Sequence, residues 1–248
     1  MAYDIVEFAK ISFDAAIFDL DGVLVNTTPA HSSAWKTVFD DYLRRHGSGY
    51  RYRPFDPRGD YLAYVDGRSR KDGVRQFLAS RGIHVPEESS DPAEDSITSL
   101  ALSKDSLVQD ALRQGSTVLP GAKALLAALR QCGIRAGVAS SSANCQLVLK
   151  ITGLASLVEV RVDGITAADL GLPGKPEPAL FLVAARKLGV LPARCAIFED
   201  ALPGVEAGGR GGFGLVVGVD RGGQEAALRR AGAHKVIENL TQVSVQGA

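Results

Sequence analysis

The stretch Ala15-Ala16-Ile17-Phe18-Asp19-Leu20-Asp21-Gly22-Val23-Leu24-Val25-Asn26 decides how the rest of the chain is read. Its first four residues form an apolar run of the kind that makes a buried strand. That run delivers two carboxylates, Asp19 and Asp21, into a glycine turn at Gly22. Residues two apart on an extended chain face the same side. Both acids can therefore point into one crevice, where their mutual repulsion calls for a bound cation. A plainer reading makes one aspartate a helix cap and Asp21-Gly22 an ordinary turn. This stretch alone leaves both readings open.

The 248 residues can bury either one large α/β core or a core with a smaller second lobe, and two lobes are expected. Lys plus Arg and Asp plus Glu balance at 28 each, so nothing calls for nucleic acid or an anionic membrane as partner. A small molecule fits better. The opening segment carries Asp4 and Glu7 and has neither a basic region nor a long apolar run, unlike a secretory signal. No apolar run reaches membrane-spanning length. Cys132, Cys145 and Cys195 are odd in number and widely spaced, which reads as reduced thiols in a cytoplasmic protein rather than a disulfide framework or zinc knuckle.

From about Ser116 onward helix and strand patterns alternate. Helices are expected at Gly121 to Gln131, Ala143 to Thr152, Pro176 to Leu188, from Pro203, and at Gln224 to Arg230. Strands are expected at Ile134 to Ala139, Leu157 to Val162, Cys195 to Phe198 and Gly214 to Val219. Such alternation implies an α/β fold with a doubly wound parallel sheet, to which Ala15 to Phe18 also belongs. Between Thr27 and Gln114 the pattern turns helical, around His31 to Arg45, Arg70 to Ser80 and Ser96 to Leu112. The expected division is therefore 1–26 plus 115–248 as the core and 27–114 as an inserted helical domain. The insert follows the first strand's carboxyl end, where ligands bind in open α/β sheets.

Three further strand ends carry polar groups suited to the same crevice. Ser140-Ser141-Ser142 can seat phosphate oxygens with hydroxyls and helix-start amides, or simply cap a helix. Lys175, in Gly174-Lys175-Pro176-Glu177-Pro178, either reaches inward or is solvated. Glu199-Asp200, ahead of Pro203-Gly204, are either ligands or charges that complement a helix dipole. Together, the four carboxylates, one lysine and one hydroxyl cluster describe a hard oxygen site for Mg²⁺ and phosphate.

This ordered set resembles the haloacid dehalogenase superfamily from about Phe13 to the end of the chain. The resemblance implies that Asp19 is a nucleophile taking up a phosphoryl group and Asp21 a general acid-base. It implies Mg²⁺ as cofactor, with Asp19, Asp21 (through its carbonyl), Glu199 and Asp200 as ligands. Lys175, Ser140, Ser141 and Asn144 are the expected phosphate contacts. The helical insert is similar to the cap of the β-phosphoglucomutase-like branch. His31 and Trp35 match that branch's first cap helix, Arg70 its phosphate-gripping loop, and Lys104 a cap lysine facing the site. The plainer alternatives are a helix-face His31, a core Trp35 and a solvated Lys104.

Two departures stand out. The branch's mutases tend to carry a lysine after the serines, and this chain has Ala143-Asn144. The insert is also longer between Arg44 and Asp66, with an arginine and tyrosine content that suits single-stranded nucleic acid but fits cap packing better on a neutral protein. Gly209-Arg210-Gly211-Gly212-Phe213-Gly214 spells a dinucleotide-binding motif, yet it precedes a strand instead of following one, so that context fails. The resemblance implies a monomer that acts on a sugar phosphate. Mutase, phosphatase and catalytically silent relative are the competing readings.

Overall fold

The computed structural model describes residues 3–9, 12–46, 53–91 and 94–246. The chain divides into two compact units, 1–26 with 116–248, and 27–115. The first unit opens with strands β1 (Val6–Ala9), β2 (Ala15–Phe18) and β3 (Val25–Asn26). The second contains helices α1 (Thr28–His46), α2 (Arg70–Ser80) and α3 (Ile97–Gly115). The chain then re-enters the first unit as β4 (Thr117–Val118), α4 (Ala122–Gln131), β5 (Arg135–Ala139) and α5 (Cys145–Ile151). It continues through β6 (Val160–Val162), α6 (Gly164–Asp169), α7 (Ala179–Leu188), β7 (Cys195–Glu199) and α8 (Leu202–Arg210). It ends with β8 (Leu215–Val219), α9 (Glu225–Arg230), β9 (Lys235–Ile237) and β10 (Val243–Gln246).

Six strands make one parallel sheet in the order β6-β5-β2-β7-β8-β9. β2 and β7 are buried along their whole length, as strands covered on both faces must be, and this is why they read as continuous apolar runs. α4 shows the helical counterpart. Ala122, Leu125, Leu126 and Leu129 recur at helical spacing and are its buried residues. In the centre of the sheet Phe18 stacks on Phe198 with ring centroids 4.7 Å apart. The register pairs Phe18 with both Val138 and Phe198. Because the strands are parallel, Asp19, Ser140 and Glu199 all emerge at the same edge.

Several boundaries differ from those read in the sequence. The helix expected from Pro176 begins at Ala179, because Glu177 precedes Pro178 and a residue before proline is disfavoured in helical conformation. The strand expected from Leu157 begins at Val160, and Ala155–Leu157 forms a single 3₁₀ turn. β1 and β10, which pair in parallel as a separate two-stranded sheet, were not anticipated. Each is short, and each depends on a partner at the other end of the chain. β3 and β4 form an antiparallel ribbon where the chain leaves and re-enters the first unit.

The second unit is helical among its described residues and is held by an aromatic core. Phe39 stacks on Trp35 and Phe77, with centroids 4.9 and 4.0 Å apart, and Phe55 packs beside them. The arginine- and tyrosine-rich segment contributes to this core. Its Asp60 is buried and accepts from Arg81 at 2.6 Å and from Arg53 at 3.4 Å, while Tyr61–Val65 forms one π-helical turn. Residues 47–52 of that segment lie outside the described part. Among the described residues no helix is long and apolar enough to cross a membrane. The three cysteines are free thiols.

Candidate active site

β2 ends in a tight loop. Gly22 donates to Val25 O at 2.7 Å and adopts φ +87°, a backbone region that side chains rarely tolerate. The turn brings Asp21 into an isolated bridge with Val25. Asp19 N donates to Phe198 O at 2.9 Å, extending the β2–β7 ladder by one residue and fixing the start of the acid pair. Asp19 is 5% exposed, and a carboxylate so placed needs a partner.

Lys175 is that partner. Its Nζ donates to Asp19 Oδ1 at 2.6 Å and also to Glu199 Oε1, and its side chain has no exposed surface. The solvated reading of this lysine is therefore excluded. Burial alone would lower its pKa, but the charges of Asp19 and Glu199 outweigh that effect and raise it. The ammonium stays charged. Burial pushes Asp19 upward against the opposing pull of Lys175. Burial likewise pushes Glu199 up to about 8 and Asp200 up to about 6, despite Lys175 beside the first and Arg221 beside the second.

Glu199 has both oxygens engaged, one with Lys175 and the other accepting from Ala201 N at 2.8 Å. Its position depends on Gly204. A Cβ at 204 would collide with the Glu199 carboxylate, so the first turn of α8 leaves space that only glycine provides. The Ser140 hydroxyl donates to Asp21 Oδ2 at 3.3 Å and accepts from Ser142 N at 3.0 Å. Asn144 N donates to Ser142 Oγ at 3.2 Å, and Asn144 is buried where α5 begins. Ser141 is half-buried in the same loop. The serine cluster is thus both a capping loop and a neighbour of the second aspartate.

Among the described residues, no three acidic, histidine or cysteine side chains converge as an ion's cage. Lys175 and Arg221 take the carboxylates instead. The donor chemistry nevertheless fits Mg²⁺. Asp19, Asp21, Glu199 and Asp200 offer the hard oxygens that such an ion takes. Arg221 was not singled out in the sequence. The available signal was its place just beyond β8, the same sheet edge that displays the other polar groups.

The second unit gathers its own cluster. Lys104, 5% exposed, donates from Nζ to His31 Nδ1 at 2.7 Å and lies 5.2 Å from the centre of the Trp35 ring. The solvated reading of Lys104 is excluded, while Trp35 is core as well. Burial, reinforced by Lys104, drives the His31 pKa well below its usual value, so the imidazole is neutral. Arg70, the first residue of α2, forms an ion pair with Asp105 at 2.7 Å.

A family model for haloacid dehalogenase-like hydrolases matches residues 13–212, a span that takes in β2, the serine loop, Lys175 and Glu199-Asp200. The chain belongs to this family. Within it the chain lies in the β-phosphoglucomutase-like branch. It is 46% identical over 237 residues to a β-phosphoglucomutase of Mycobacterium bovis, covering 92% of this chain and 90% of that one. It is 32% identical over 194 residues to hexitol phosphatase A of Escherichia coli, covering 77% and 76%. Among solved structures, a β-phosphoglucomutase from Clostridium difficile aligns with a TM-score of 0.72 at 25% identity, over 93% of this chain and 92% of that one. The chain is thus an enzyme of this superfamily, of the phosphoglucomutase and phosphatase group.

Proposed function

We propose that this enzyme is a Mg²⁺-dependent β-phosphoglucomutase, converting β-glucose 1-phosphate to glucose 6-phosphate through an aspartyl phosphate on Asp19. The observation that carries the reading is the buried Lys175 bonded to both Asp19 and Glu199. It supports a carboxylate acting as nucleophile rather than as a loop charge, at the strand edge where this fold binds ligands. The 46% identity to a β-phosphoglucomutase favours the sugar and the reaction.

Asp19 attacks phosphorus with one carboxylate oxygen, the bond from phosphorus to the departing sugar oxygen breaks, and Asp21 gives that oxygen a proton. Asp21 then withdraws a proton from the accepting hydroxyl as the phosphoryl group leaves Asp19. Transfer to the 6-hydroxyl and removal from the 1-position pass through a bisphosphate. Lys175 balances charge on Asp19 and on the phosphoryl oxygens. Ser140, Ser141, Asn144 and nearby amides hold those oxygens, and Ser140 also orients Asp21. Mg²⁺, held by Asp19, the Asp21 carbonyl, Glu199 and Asp200, would neutralise the negative charge that opposes attack. We assign Arg70, His31 and Lys104 to the substrate's non-transferring end, with Arg70 exchanging Asp105 for phosphate.

The 32% identity to a hexitol phosphatase supports a second reading, in which water is the acceptor. One assay separates the two. Protein, Mg²⁺, β-glucose 1-phosphate and a priming bisphosphate should yield glucose 6-phosphate; inorganic phosphate without the isomer would establish the phosphatase.

A further inference from the structure

Arg221 holds Asp200, one of the two carboxylates of the group that Lys175 does not bond. It lies two residues beyond β8, and the turn that presents it is locked by Asp220. The Asp220 carboxylate accepts from the backbone N–H groups of Gly222, Gln224 and Glu225 at 3.0, 2.8 and 2.9 Å. From that base the Arg221 guanidinium bonds Asp200 Oδ2 and lies directly over the Cα of Gly22. A Cβ at position 22 would strike both the guanidinium and the Asp200 carboxylate. The cation therefore sits within the Asp19-Leu20-Asp21-Gly22 loop, against an acid assigned above to Mg²⁺.

The two cations of the site differ in freedom. Lys175 has no exposed surface and is held by two carboxylates from different strands, whereas the Arg221 side chain is 25% exposed and can withdraw into solvent. An ion that coordinates Asp200 through the oxygen now facing Arg221 must displace the guanidinium. We propose that Arg221 is a resident counter-cation of the metal site, holding Asp200 while Mg²⁺ is absent and giving it up on binding. It keeps the carboxylates charge-balanced in the metal-free enzyme and weakens Mg²⁺ affinity by the cost of its own release. It is a positioning residue, acting through Asp200.

The inference rests on the Mg²⁺ site of the proposed function, and calorimetric titration of metal-free protein with MgCl₂ separates the two. Wild type should bind Mg²⁺, and Arg221→Gln should bind it at least about tenfold more tightly while melting at a lower temperature without metal. Arg221→Lys, which keeps a cation, should stay near wild type. In the Asp200→Asn background, Arg221→Gln should leave the residual affinity unchanged, because the carboxylate over which arginine and metal compete is gone. Equal or weaker Mg²⁺ binding by Arg221→Gln, with its circular dichroism unchanged, overturns the counter-cation while the metal site stands. No Mg²⁺ binding by wild type overturns both.

Discussion

The two units each bury a lysine against a side chain distant in sequence, and they do so to opposite electrostatic ends. In the sheet unit, Lys175 lies between Asp19 and Glu199, which hold the ammonium charged while burial raises the pKa values of both acids. In the helical unit, Lys104 meets a neutral imidazole and an indole face. The first arrangement concentrates negative charge and demands cations. The second holds a buried ammonium against a neutral ring nitrogen and an aromatic face. In the proposed phosphoryl transfer the first would supply the carboxylate nucleophile and the second a cation for the substrate's far end.

Breaking the sheet-unit arrangement at the proposed nucleophile should give the largest effect. Asp19→Asn removes the attacking oxygen's charge, and turnover should fall on the order of 10⁴-fold or more while the melting temperature changes little. Steady-state assays alongside thermal melts check this. Next is the paired replacement of the two lysines by methionine, read as unfolding free energy in denaturant. Lys175→Met strands Asp19 and Glu199 and should cost about 3–5 kcal/mol without metal, as loss of one partner in a buried ion pair does. Lys104→Met removes the hydrogen bond to the neutral His31 and should cost less, about 1 kcal/mol. Equal costs would erase the distinction between the units.

Gly204→Ala probes the same comparison more gently. The added methyl must push the Glu199 carboxylate away from Lys175, so activity should fall about tenfold although alanine is the better helix former. The pH dependence of stability separates the units by sign. Glu199 titrates near 8 when folded and at 4.5 in a model chain, so the folded state binds more protons between those values. Its contribution to metal-free stability is full below about pH 4.5 and is lost as pH rises toward 8. His31 is shifted downward from 6.5, so its contribution is present above that pH and lost as pH falls below it. Melting temperatures across pH should show Glu199→Gln flattening the alkaline loss and His31→Leu flattening the acid loss.

The sheet unit was legible because its chemistry is punctuated by strands. An apolar run followed by an acid, a serine or a lysine-bearing loop is a local pattern, and parallel pairing brings such ends together wherever they lie in the chain. Asp19, Ser140 and Glu199 are legible in this way as residues of one sheet edge. Arg221 was missed although it obeys the same rule, since an arginine after a strand attracts no notice until its carboxylate partner is located. The contact between His31 and Lys104 was not legible, because 73 residues and a turn of unspecified geometry separate them. β1 and β10 were hidden for a similar reason: neither has a neighbour in sequence to pair with. The role of Gly204 was also hidden, for nothing near it says that a glutamate must fit where its side chain would be.

The proposed role of Asp19 as receiver of the phosphoryl group can be read chemically. Incubating the enzyme with Mg²⁺ and a phosphoryl donor, quenching in acid and mapping the modified peptide by mass spectrometry tests it directly. A single acid-stable, base-labile phosphoryl group on Asp19, absent from Asp19→Asn, is the predicted result. A phosphoryl group on another residue, or one that persists undiminished in Asp19→Asn, would contradict the account.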